Sequence, residues 1–102
     1  MEEKNEMNLI AKKAKLIEFQ NQISCIASEY SKMPMHNESY LSGREKFLRV
    51  AMYENLNSVI SQIKALRLQD YLSDAYKKMI RDLQIALRCN IDNLELSVIQ
   101  EL

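Results

Sequence analysis

One glycine, Gly43, and one proline, Pro34, are all that this chain of 102 residues offers for sharp reversals of the backbone. An average globular sequence carries roughly 7% Gly and 5% Pro. Few turns can be built, so the chain must run in long uninterrupted elements, and the spacing of its apolar residues shows which kind. From Leu9 these residues recur every seven positions: Leu9, Leu16, Ile23 and Tyr30 form one row, and Phe19, Ile26 and Met33 another three residues on. That is the seam of an amphipathic helix, predicted from about Asn5 to Met33. Pro34 ends it, because proline lacks an amide donor and turns the preceding residue away from helical geometry.

Residues 34–42 have no helical period and are rich in turn formers, so they are expected as a surface loop. Ser42 followed by Glu45 fits a capping box, which starts the second helix near Gly43. Leu48, Met52, Leu56, Val59, Ile63 and Leu66 carry its stripe, widened by Phe47 and Ile60, as far as about Leu68. Asp70 or Ser73 can cap a third helix after a tight turn. Leu72, Tyr76, Met79, Leu83 and Ala86 define that helix, and the pattern stays helical to Leu102. The predicted fold is therefore all-α, a single domain over residues 1–102 built as an antiparallel bundle of three long helices. A second reading breaks the last helix near Asn90 and starts a short fourth at Asp92.

Charge narrows the function classes. Lys and Arg number 14, and so do Asp and Glu, so no global field pulls the chain toward nucleic acid or anionic lipid. No stretch approaches the roughly 18 consecutive apolar residues of a membrane span. The opening residues lack a basic region followed by an apolar run, so no secretory signal is expected and the cytoplasm is the expected compartment. Cys25 and Cys89 lie within apolar-periodic segments and are expected as small buried hydrophobes.

The main functional clue is a surplus of apolar residues. A bundle helix needs one stripe facing the core, yet Ile10 and Ile17 each follow a seam residue by one position, and the last segment carries Ile85, Leu87, Ile91, Leu94, Leu96, Val98, Ile99 and Leu102 on more than one face. Apolar side chains left outside a core mark partner surfaces. The candidate interface residues are Ile10, Ile17, Leu87, Ile91, Leu94, Val98, Ile99 and Leu102, joined by Tyr40 in the loop and Tyr53 beside the second stripe, since tyrosine favours interfaces. Alternatively, a kink at Asn90 folds the last dozen residues back and buries both faces within the chain. The expected class is a non-enzymatic protein–protein interaction module of the adaptor, chaperone, inhibitor or immunity type, binding a protein partner or itself as a homodimer.

Other chemistries find less support. Met33, Pro34, Met35 and His36 place two thioethers and an imidazole together, a set suited to Cu(I) but short of a full ligand shell. Zinc needs about four ligands at recognisable spacing, and one histidine with two distant cysteines does not supply them. No metal or cofactor is expected. Gly43 alone cannot form a phosphate-cradling loop. The order of one long helix, a loop and two further helices is topologically similar to that of the helical chorismate mutases, whose core holds a dicarboxylate with arginines and a lysine. Here the first helix has no arginine, and Arg44, Arg49, Arg67, Arg81 and Arg88 are expected mostly on solvated faces. A metal-free helical enzyme is thus a minor alternative. A regulatory nucleic-acid binder using Lys77, Lys78, Arg81 and Arg88 is another, diluted by Asp70, Asp74 and Asp82.

Overall fold

Asn8 opens the first helix, accepting the Ala11 amide on its Oδ1 at 2.8 Å and satisfying one of the amides that a helix start leaves without a partner. The computed structural model describes residues 8–33, 43–89, 91 and 96–102. Among these, helix α1 spans Leu9–Ser31, α2 Gly43–Ala65 and α3 Asp74–Arg88, with a 3-10 turn at Gln69–Tyr71 before α3. The three helices pack against one another as an all-α bundle, with α2 in the middle against both neighbours. The proposed cap Ser42 and the loop around Tyr40 and His36 lie outside the described residues.

The α2 helix ends three residues before the predicted Leu68. Arg67 adopts a left-handed backbone, φ 57°. The Leu68 amide then reaches back to the Ile63 carbonyl at 2.9 Å, and the Arg67 amide to Lys64 at 3.0 Å. This pair of bonds is a Schellman cap, and Leu68 and Ile63 supply the apolar contact that accompanies it, both at 0% exposure. The usual glycine is replaced by arginine, at a cost of about 1–2 kcal/mol for the left-handed conformation. Ser73, one of the two predicted caps, starts α3 by accepting the Tyr76 amide at 3.1 Å.

The core is Leu16, Phe19 and Ile23 from α1, Tyr53, Leu56, Val59, Ile60 and Ile63 from α2, Leu68 and Leu72 from the turn, and Ile80, Leu83 and Leu87 from α3. The buried faces differ in detail from the predicted stripes. On α2 the inward line is Arg49, Tyr53, Leu56, Ile60 and Ile63, while Phe47 is 70% exposed and Leu48 lies at the surface. On α3 Ile80 and Leu87 face inward and Met79 outward. Cys25 and Cys89 are both exposed, contrary to expectation, because Cys25 sits off the line that α1 turns to the core and Cys89 lies just past the end of α3.

The largest correction concerns the end of the chain. Helix α3 stops at Arg88, with Cys89 already extended at ψ 136°, and residues 96–102 form no helix. Neither a third helix continuous to Leu102 nor a helical segment over 96–102 is present. Instead residues 96–102, the strap, lie back along the bundle with Leu96, Ile99 and Leu102 packed on the core. Apolar residues three apart suit one face of an extended, three-per-turn chain as well as a helix, and the helical reading of this spacing was the wrong one of the two.

Candidate interaction surfaces

The register of the strap follows from its hydrogen bonds. Ser97 meets α2 at Tyr53 and Glu54, Val98 meets Asn57, and Gln100 meets Asn57 and Ser61. Three residue steps along the strap, from Ser97 to Gln100, thus keep pace with seven steps along α2, from Glu54 to Ser61. Seven helical residues rise about 10 Å, and three extended residues cover about the same. A helical strap would advance less than half as far. The strap runs parallel to α2 and antiparallel to α3, where Arg88 bonds Ser97 and Arg81 pairs with Glu101.

Half of these contacts read the strap's main chain, and the rest go to the Ser97, Gln100 and Glu101 side chains. Tyr53 Oη donates to the Ser97 carbonyl at 2.5 Å and Arg88 Nη1 donates to the same oxygen at 2.8 Å. Asn57 Nδ2 donates to the Val98 carbonyl at 3.2 Å. The Glu54 carboxylate accepts the Ser97 amide at 3.2 Å and its hydroxyl at 2.8 Å. Arg88 Nη1 also donates to Tyr53 Oη at 2.9 Å and its guanidinium lies 5.2 Å from the Tyr53 ring, so the two side chains hold each other in place.

Below the strap runs a polar seam between α2 and α3. Asn57 and Gln84 are 3% and 0% exposed, and Gln84 Nε2 donates to Asn57 Oδ1 at 2.9 Å. Arg49, contrary to its expected solvation, is buried: Nη1 donates to the Ala86 carbonyl at 3.0 Å and the guanidinium lies 5.5 Å from the Tyr30 ring, so one side chain joins all three helices. A cation at the carbonyl end of α3 also complements the helix dipole. Gln84 Oε1 and Arg49 Nε are buried and find no partner among the described residues. Sequence reasoning missed Arg49, Glu54, Asn57 and Gln84. Their signal was positional, since Arg49 and Asn57 stand four residues either side of Tyr53, and Gln84 stands four after Ile80.

The predicted interface residues separate into two groups. Tyr53 and Leu87 are at 0% exposure within the core, and Ile91, Ile99 and Leu102 are half-buried. Val98, at 76%, turns its side chain to solvent from the strap. Leu94 and Tyr40 lie outside the described residues. Ile10 and Ile17, on α1, are 81% and 57% exposed. With Ala14 and Asn21, also exposed, they follow spacings of four, three and four, a single outward stripe of α1 with nothing covering it among the described residues. A further open groove of about 580 Å³ lies between the end of α1 and the start of α2, lined by Met33, Leu48 and Met52 among others.

The basic face proposed for nucleic acid is largely taken up by internal partners. Lys78 pairs with Asp82 at 2.9 Å, Arg81 with Glu101, and Arg88 with Tyr53 and Ser97. Among the described residues, no three His, Cys, Asp or Glu side chains come together as a metal ligand set. No helix among them is long and apolar enough to cross a membrane. Burial pushes the Tyr76 phenol above its usual range, partly offset by a hydrogen bond with the Ser24 side chain. Comparison of the chain with family models, with curated proteins and with solved structures gives no match in any of the three.

Proposed function

We propose that this chain is a non-enzymatic interaction module whose outer α1 face pairs with the same face of a second copy. The observation that carries the reading is the outward stripe of Ile10, Ala14, Ile17 and Asn21. Its spacing is that of a short coiled-coil seam, in which Ile10 and Ile17 occupy d positions and Ala14 and Asn21 occupy a positions. In a parallel pair Lys13 then stands at g and Glu18 at e, five residues apart, the spacing at which unlike charges meet between the two helices. Both side chains are exposed. Asn21 at an a position favours one register over others, and Ala14 lets the backbones approach. The balanced net charge removes long-range repulsion between copies.

Magnitudes set the strength. Each isoleucine buried contributes about 1.5–3 kcal/mol, and a pair of copies buries four, which is comparable with the roughly 4–15 kcal/mol cost of association. A weak, concentration-dependent dimer follows. Sedimentation equilibrium over a wide concentration range tests it: the average mass should rise toward twice the monomer, and Ile10→Asp with Ile17→Asp should hold the chain monomeric with an unchanged helical spectrum. A double variant that associates as the parent does would remove α1 as the interface.

A further inference from the structure

The strap is held as a protein holds a bound peptide. Regular secondary structure would join it to the bundle through main-chain pairing, yet here side chains of α2 and α3 grip its backbone: Tyr53, Asn57 and Arg88 donate to its carbonyls and Glu54 accepts its amide. Apolar anchors at every third position, Leu96, Ile99 and Leu102, enter the groove, while Ser97, Val98 and Glu101 stay at the surface. Main-chain grip with alternating pockets is the general logic of extended-peptide recognition.

We infer that the α2–α3 groove is a recognition site for an extended segment of a partner protein carrying apolar residues at every third position, with a small hydroxyl residue after the first, and that residues 96–102 are its resident occupant. The strap then acts as a latch. A trans segment binds only in the fraction of molecules whose strap is released, so its apparent affinity falls by that fraction. The occupant's chemistry is defined by the strap itself, because each of its recognised groups is a carbonyl, an amide, a hydroxyl or an apolar side chain that a second segment of the same pattern also carries. This site is separate from the α1 face, and neither reading depends on the other.

The test is fluorescence anisotropy with a labelled peptide of sequence Leu-Ser-Val-Ile-Gln-Glu-Leu, titrated with the full chain and with strap-released variants. Ile99→Asp removes an anchor, and Ser97→Pro independently removes the amide that Glu54 accepts. At least one released variant that keeps the helical spectrum should bind the peptide about tenfold or more tightly than the parent chain, by the release of a competitor held at high effective concentration. Asn57→Ala in the same background should weaken binding, and a scrambled peptide should not compete. Absence of peptide binding by a folded released variant, or equal binding of the scrambled peptide, overturns the inference. So does unfolding of both strap variants, which would make the strap part of the core. Self-association that persists in a released variant also carrying Ile10→Asp and Ile17→Asp would come from strap exchange and not from the α1 face.

Discussion

The two sides of α2 are built on different chemistry. The core residues that α1 contributes, Leu16, Phe19 and Ile23, carry no polar side-chain atom, and Phe19 and Ile23 are essentially without exposure. Toward α3 and the strap the apolar Ile80, Leu83 and Leu87 are joined by a polar seam of Tyr53, Asn57, Gln84, Arg49 and Arg88, linked by directional hydrogen bonds. Apolar packing is strong but indifferent to small slips of register, whereas a buried amide pair is satisfied in one alignment only and costs stability elsewhere. Apolar burial makes the first side a source of stability. The second decides where α3 sits along α2 and where the strap lies.

The comparison breaks most directly at Phe19. Replacing it by alanine should cost about 3–5 kcal/mol in urea unfolding, and a loss below about 2 kcal/mol would mean the α1 side is not a source of stability of that size. Asn57→Ala should cost less, about 1–3 kcal/mol, by leaving the Gln84 amide and the Val98 carbonyl without their partner. The double change Asn57→Leu with Gln84→Leu should recover much of that loss, and a double variant worse than the sum of its singles would contradict a register role. Arg67→Gly, at the C-terminal cap of α2, should add about 1 kcal/mol by relieving the left-handed arginine, shifting the midpoint without changing the contrast between the sides. Arg81→Ala, which breaks an exposed pair with Glu101, should change stability by about 0–1 kcal/mol. A larger loss would show that the strap is fastened by charge and not by its main chain.

Tyr76 sharpens the contrast at the α1–α3 contact, where its hydroxyl reaches the Gln20 carbonyl at 3.4 Å. Its folded proton is held more tightly than in the unfolded chain, chiefly through burial. The associated stability is complete below the ordinary tyrosine value of about 10 and is lost as pH rises through the raised folded value. Thermal melts of Tyr76→Phe against the parent should differ by a constant offset below that window, and above it the parent should lose stability that the variant keeps.

Much of this was legible in the residues. Pro34 and the apolar rows of α1 mark where the first helix stops, Ser73 marks where the third begins, and the exposure of Ile10 and Ile17 follows from their place one residue off the seam. The rotation of the α2 stripe was harder to read, because Phe47 and Leu48 look like core on hydrophobicity alone and Arg49 looks like solvent. Burial of Arg49 depends on the Ala86 carbonyl and the Tyr30 ring, which come from helices distant in sequence. The two cysteines misled for the converse reason, since apolar neighbours do not say which way a given residue points.

What the sequence by itself determined is the class of fold: scarcity of glycine and proline, a seven-residue apolar period and the cap at Ser73 act within a few turns of one helix, and local physics is enough to decide them, whereas the start of α1 at Asn8 and not near Asn5 was not read. What only the tertiary structure decided is the fate of residues 96–102. A spacing of three satisfies a helix and an extended chain alike, and the choice fell to the groove between α2 and α3, whose Tyr53, Asn57, Glu54 and Arg88 bond a backbone that a helix would have kept for itself.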